Sequence, residues 1–377
     1  MKTVLFLAAL AALHAAAAAR AQDRFHLPLL VPITGALALE GQSERDGALL
    51  ALDPPTAAGD AARPLRPSHA VFDTGSNPQL AVQAFERAMA AEIRPRAMLG
   101  PIDGNSMLAL LPLAEREKVA LLSVSGTARL TELGNAHIFR FFPSDVVVKA
   151  AQARYAVQEL QRRKIALVYQ NTAYGQSGNE QLGRWIESLG AAVVYRNSVP
   201  VTTKEMSGVI AQVRDSGADA VLLQLHSGSS ALFLKQAARA GLALPIVGGS
   251  ALHQPSTAAL LEPAELKGVC AETASAPAAD PGLAGFARIF RERMKSEPDA
   301  FALAAFDAVN AALAAARMPG PLAESLAKIR HPGLAMTYES DGKGNMAHDA
   351  IIVCYDGASR TPRIAKRYAR PHEAARR

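Results

Sequence analysis

Five polar clusters hold the groups with which this chain can do chemistry, and each directly follows an apolar run. After Leu99 come Gly100-Pro101-Ile102-Asp103-Gly104-Asn105-Ser106, and after Val124 come Ser125-Gly126-Thr127. After Tyr169 come Gln170-Asn171-Thr172-Ala173-Tyr174-Gly175; after Leu225, His226-Ser227-Gly228-Ser229; after Val247, Gly248-Gly249-Ser250. The chemistry on offer is hydrogen bonding rather than bond making. Hydroxyls pair with a polar guest, glycines let the backbone approach it, and the free N–H groups opening a following helix suit a carboxylate. One such cluster is an ordinary helix cap; five of them, split between two sheets, predict a shared cleft.

Catalytic signatures do not accompany them. The chain has no Gly-x-x-x-x-Gly-Lys-Ser/Thr loop and no His-Glu-x-x-His pair. Gly248-Gly249-Ser250-Ala251-Leu252 begins like a nucleophile elbow but lacks the closing glycine. Gly342-Lys343-Gly344-Asn345-Met346-Ala347 matches a dinucleotide fingerprint in its letters, yet it precedes a β-like run instead of opening a helix. A hairpin turn built on Asp341-Gly342 is the expectation there. The nine histidines are scattered without the spacing of a metal pair. Neither cofactor nor metal is expected, and the chain reads as a binder rather than an enzyme.

The elements that must position these clusters follow from hydrophobic spacing. Short apolar runs at 25–31, 70–72, 97–99, 119–124, 165–169, 191–195, 220–223, 246–247 and 351–355 read as strands. Between them lie stretches of helical period, such as Val82-Phe85-Met89, Leu232 to Ala240, and Phe306-Val309-Leu313. Strands alternating with helices predict an α/β fold of parallel, doubly wound sheets with helices on both faces. About ten such repeats exceed one sheet, so two lobes are expected, with strands near 25, 70, 97 and 119 in one and those near 165, 191, 220 and 246 in the other. Phe141-Phe142-Pro143-Ser144-Asp145 reads as a crossing segment in which Ser144 or Asp145 caps the next helix. The helices at 281–295 and 298–318 have no strand between them and are expected to return to the first lobe.

Composition agrees and excludes other classes. Half of the 377 residues are hydrophobic and a fifth charged, a globular balance rather than a disordered one. The formal charge of +6 is concentrated at the ends, since Arg363, Lys366, Arg367, Arg370, Arg376 and Arg377 face only Glu373 in the last fifteen residues. No basic face for nucleic acid is left; a flexible, solvated tail over 363–377 is expected. Residues 1–21 read as a secretory signal peptide, with Met1-Lys2, an apolar Val4 to Ala19, and cleavage after Ala21 in Ala19-Arg20-Ala21. With no cysteine near residue 21 to carry a lipid, the expected location is a bacterial periplasm. Cys270 and Cys354 are the only cysteines; the compartment permits a disulfide, but two separate buried thiols are the favoured reading.

Six segments in order carry a resemblance. They are Pro32-Ile33-Thr34-Gly35 with Gly41 and Gly47-Ala48; Phe72-Asp73-Thr74-Gly75-Ser76-Asn77-Pro78 with Ala81-Val82; and Leu99-Gly100 through Ser106. Ser123-Val124-Ser125-Gly126-Thr127 with Leu130-Thr131, Tyr174-Gly175, and Gln236-Ala237-Ala238-Arg239-Ala240-Gly241-Leu242 complete the set. Over about residues 24 to 358 the chain resembles the periplasmic solute-binding proteins of the leucine/isoleucine/valine-binding type, with the type I binding-protein fold. The resemblance implies two lobes joined by three crossovers, here 22–142 with 275–333 and 143–274 with 334–362, closing on a solute between them. It implies a monomer that delivers its small-molecule ligand to an ABC-type membrane permease, or alternatively a receptor subunit that presents it to a sensor kinase or chemoreceptor.

Carried over by position, the ligand carboxylate falls to Gly104, Asn105 or Ser106 and to Ser125 and Thr127. Tyr174 covers the ligand, and His226 or Ser227 stands where another aromatic is usual. Two positions depart from the pattern. The acid that holds an ammonium group after the Val247 strand is Ser250 here, and Gly104 replaces a serine. Asp103 and Glu40 are the nearby acids. An amino acid, an aromatic or aliphatic acid, or an amide or urea is the expected ligand class.

Overall fold

The inner strands of each sheet are buried along their length because both sheet faces are covered. The computed structural model describes residues 24–53 and 66–373; the expected signal peptide lies outside them. The first lobe is built from β1 (Arg24–Val31), α1 (Ala38–Leu52), β2 (Arg66–Asp73), α2 (Pro78–Met89), β3 (Ala97–Leu99), α3 (Gly104–Glu117), β4 (Ala120–Ser123) and β5 (Ile138–Arg140). Its five strands run in the order β2-β1-β3-β4-β5, every neighbouring pair parallel. Asn77 and Asp103 cap α2 and α3 by accepting backbone N–H groups, as short polar side chains do where the first turn has orphan donors.

The chain then enters the second lobe through α4 (Asp145–Arg154), with Ser144 as its cap. There follow β6 (Lys164–Gln170), α5 (Ala173–Ser188), β7 (Ala192–Val199), α6 (Ser207–Asp215), β8 (Ala220–Gln224), α7 (Ser227–Arg239), β9 (Ile246–Gly248) and β10 (Val269–Thr273). It returns as α8 (Ala284–Met294) and α9 (Ala300–Ala315), a hairpin of β11 (Arg330–Pro332) and β12 (Thr337–Glu339), and finally β13 (Ala350–Cys354) and β14 (Arg363–Tyr368). The second sheet has the order β14-β13-β10-β9-β8-β6-β7, with β13 and β14 antiparallel.

In the first lobe one sheet face packs Leu27, Leu29, Leu99 and Leu122 against α9 residues such as Ala304 and Val309; the other packs Leu30, Met98 and Leu121 against Phe85, Met107 and Leu110. As expected, α9 returns to this lobe. It lies so close to α1 that a Cβ at Gly47 would strike the Ala302 backbone, which explains a helix-disfavouring glycine there. The Asp341-Gly342 turn also forms: the Asp341 carboxylate accepts the Lys343 and Asn345 N–H groups, and Gly342 has φ of 82°.

Three expectations fail. Cys270 and Cys354 are bonded to each other, because antiparallel pairing of β10 and β13 sets them directly opposite. The tail is not a solvated end from 363 onward; Arg363–Tyr368 adds an edge strand to the second sheet, where Arg367 pairs with Asp280 at 2.7 Å. The third crossing comes later than residue 334. Tyr338, Met346 and Ala347 are fully buried in the first lobe's core, and Arg140 bridges to Asn345, so the apolar side chains of this stretch hold it to the first lobe until just before β13.

Candidate ligand-binding cleft

The carboxyl ends of the parallel strands in both sheets meet across one cleft, the place where open α/β sheets bind ligands. Three hydrogen bonds close it. The Ser227 N–H, at the start of α7, donates to Glu40 Oε1 of α1 at 3.0 Å. The Ala173 N–H, at the start of α5, donates to Asn105 Oδ1 of α3 at 3.0 Å. The Ala128 N–H donates to Ser177 Oγ at 2.9 Å. The first two place first-lobe side-chain oxygens on second-lobe helix N-termini, where the orphan N–H groups and the helix dipole favour negative charge.

Between the lobes lies a narrow cavity of about 30 Å³, well below the volume of a drug-sized ligand pocket. The first lobe lines it with Leu37, Glu40, Ile102, Val124, Gly126, Phe142 and Phe301, and the second with Asp145, Tyr174, His226, Ser250 and Ala251. The two walls differ in kind. The first is largely apolar; the second is polar and charged.

Four of the residues singled out from sequence line this cavity. Glu40 is 2% exposed, with one carboxylate oxygen on Ser227 and the other without a partner. Tyr174 stacks on His226 with ring centroids 5.1 Å apart; its hydroxyl has no partner, and burial raises its pKa well above the ordinary value. His226 Nε2 meets Thr172 Oγ1 at 3.2 Å, and burial lowers its pKa, which keeps the ring neutral. Ser250 is tied by its N–H at 3.0 Å and its hydroxyl at 2.7 Å to the Glu272 carboxylate.

The others stand behind the wall. Asp103 accepts the Asn105 N–H at 2.9 Å and the Ser106 hydroxyl, so all three help to set the start of α3. Gly104 is glycine because a Cβ would collide with the Thr127 hydroxyl. Ser125 and Thr127 flank Gly126 and are joined by a 3.4 Å hydrogen bond. Ser227 bonds the Ala251 carbonyl at 3.3 Å. Beneath this loop set the Arg140 guanidinium, fully buried, donates to the carbonyls of Ser125, Gly126, Thr127 and Ala128 and to Thr131 and Asn345.

A family model for periplasmic binding proteins matches residues 25–344 of the chain. This chain belongs to that family. Leu/Ile/Val-binding protein homolog 8 of Brucella abortus is 26% identical over 288 residues, 71% of this chain and 70% of that one. The leucine-, isoleucine-, valine-, threonine- and alanine-binding protein of Pseudomonas aeruginosa is 22% identical over 291 residues, 77% of each. Among solved structures, a leucine-binding protein of Thermotoga maritima superposes with a TM-score of 0.81 at 20% identity, covering 92% of this chain and 99% of that one. A solute-binding protein of R. palustris in complex with benzoate gives 0.82 at 17%, covering 92% and 96%. The fold is the type I arrangement of two lobes, and the relatives are solute-binding proteins, not enzymes.

This periplasmic binding protein also holds charges in its cleft that sequence reasoning passed over. Asp145, read there as a helix cap, leaves capping to Ser144 and turns its carboxylate to the cavity at 1% exposure. Lys149, one turn along α4, pairs with Glu272 of β10, both fully buried, and lies 4.0 Å from Asp145. Burial pushes the Asp145 carboxyl up to about 6 against the pull of Lys149. The available signal was a charge inside an apolar run, Glu272 within Val269–Thr273, since a buried charge needs a partner. Among the described residues no cluster of His, Cys, Asp or Glu is arranged to hold a metal, and no helix is long and apolar enough to cross a membrane.

Proposed function

We propose that this protein captures a small organic solute, an amino acid or another carboxylate-bearing compound, between its lobes and delivers it from the periplasm to an ABC-type membrane permease. It acts as a monomer exported by a cleavable signal peptide. One observation carries the reading: a small cavity whose two walls come from different lobes and whose mouth is closed by hydrogen bonds between them. A solute that touches both walls stabilises the closed form over the open one, because only the closed form makes both sets of contacts. Ser125 and Thr127 flank the cavity-lining Gly126 and turn their hydroxyls to a guest only when one is bound. Tyr174 and His226 cover the guest from the other side. The names of the relatives support this reading, since they include binders of branched-chain amino acids and of benzoate.

Calorimetric titration against amino acids, organic acids and small amides tests it. Saturable binding at one site per chain is expected; heat of dilution alone across the whole set would refute it.

A further inference from the structure

Every hydrogen bond of the fully buried Arg140 guanidinium goes to a neutral oxygen. Burial lowers its pKa to about 10, so it stays charged at neutral pH. Hydrocarbon of similar volume would fill the same space without a buried charge. What the planar fork adds is a convergence of acceptors. It gathers four successive carbonyls, those of Ser125, Gly126, Thr127 and Ala128, at 3.4, 3.2, 2.6 and 3.4 Å. The Gly126 carbonyl also takes the Asp145 N–H at 2.7 Å. Asn345 Oδ1 accepts from Nε at 3.0 Å and from Nη2 at 2.7 Å, which fixes the plane of the fork.

In a trans peptide the N–H points away from the carbonyl of the residue before it. Carbonyls 125, 126 and 127 turn to Arg140, so the N–H groups of 126, 127 and 128 turn the other way. The Ala128 N–H shows the direction, since it meets Ser177 Oγ of the second lobe at 2.9 Å. Gly126 lines the cavity. The N–H groups of Gly126 and Thr127, both buried residues, have no acceptor among the described residues, whereas those of Ser125 and Ala128 on either side are engaged. A buried N–H without an acceptor is costly.

We propose that Arg140 is a positioning residue for solute recognition: it holds the 125–128 loop so that the Gly126 and Thr127 N–H groups are presented to an acceptor oxygen of the solute. This rests on the solute-binding reading above and names a residue behind the cavity wall on which affinity depends. Arg140 is not among the residues lining the cavity and acts through the loop alone. Lysine cannot take its place, because a compact ammonium lacks the rigid fork that reaches the loop carbonyls and Asn345 together.

The test titrates wild type calorimetrically with amino acids, organic acids and small amides, leucine, benzoate and acetamide included, and carries the tightest binder to Arg140→Lys and Asn345→Ala. Amide hydrogen exchange is measured on the same proteins without solute. Affinity is expected to fall on the order of 100-fold in Arg140→Lys, the loss of two well-placed hydrogen bonds, and on the order of 10-fold in Asn345→Ala, which keeps the guanidinium but removes the acceptor that orients it. The amides of residues 126–128 should exchange faster in Arg140→Lys while those of β3 keep their wild-type rate. Wild-type affinity in Arg140→Lys overturns the inference and leaves solute binding intact. A fall in affinity with β3 loosened as much as the loop also overturns it, because affinity then follows stability alone. Absence of any binder of the wild-type protein overturns both readings. Should Arg140→Lys lose its cooperative melt, Asn345→Ala decides, and unchanged affinity there overturns the inference.

Discussion

The two walls of the cleft solve the same problem in opposite ways. On the first lobe, polar groups behind the wall satisfy one another locally: Asp103 with Asn105 and Ser106, Ser125 with Thr127, the loop carbonyls with Arg140. The surface left for a guest is mostly aliphatic and aromatic. On the second lobe, charges are buried first and paired across the fold, Lys149 with Glu272 and with Asp145, and the Tyr174 hydroxyl is left without a partner. Pairing within one loop leaves an apolar wall, and pairing across the fold brings buried charge to the cavity.

The largest effect that bears on this contrast comes from Lys149→Met. Glu272 loses its cation and Asp145 its nearest positive charge, so unfolding free energy drops by about 3–5 kcal/mol, read by urea denaturation. Replacing Glu272 with Leu in the same chain restores only part of it, because the Ser250 N–H and hydroxyl then lose their acceptor and Asp145 still lacks its cation. A loss below about 1 kcal/mol, the range of an exposed pair, shows that water reaches the pair and removes the contrast.

Next comes the disulfide, which belongs to the second lobe alone and joins residues 84 apart in sequence. Replacing both cysteines with serine costs about 2–4 kcal/mol in the denaturant transition that reports the second sheet. Solute affinity at saturating stability stays unchanged, since neither cysteine lines the cavity. A matching fall in affinity would mean that the second wall is held in shape by the cross-link rather than by its charges.

The smallest effect sharpens the first wall. Thr127→Val keeps the shape that excludes a side chain at residue 104 and removes only the hydroxyl. Affinity for a solute with an acceptor oxygen weakens by about 1–3 kcal/mol while the melting temperature holds. An unchanged dissociation constant would assign Thr127 wholly to scaffold and leave recognition to the second lobe.

Much of this was legible from residue spacing. The apolar runs at 97–99, 119–124, 165–169 and 220–223 are all strands, and the polar clusters after them gather at one cleft because parallel strands share a carboxyl edge. Glu40, Tyr174, His226 and Ser250 were singled out and line the cavity. Asp145 and Lys149 were hidden because one turn of an amphipathic helix beginning in Ser-Asp looks like a cap, whatever lies opposite it. The strand at 363–368 was hidden because Arg-Ile-Ala-Lys-Arg-Tyr is an edge strand, charged at the positions that face water, and a basic run at a chain end has the same letters when it frays.

By itself, then, the sequence determined the element types, the two-lobe α/β class and the family, all of which rest on short-range periodicity and on the order of local motifs. Tertiary structure alone decided which cysteine faces which, where the chain crosses for the third time, and which carboxylates reach the cavity. Those outcomes depend on register and packing between segments far apart along the chain. A one-residue change of register turns every side chain of a strand to the other face, and no local pattern specifies that choice.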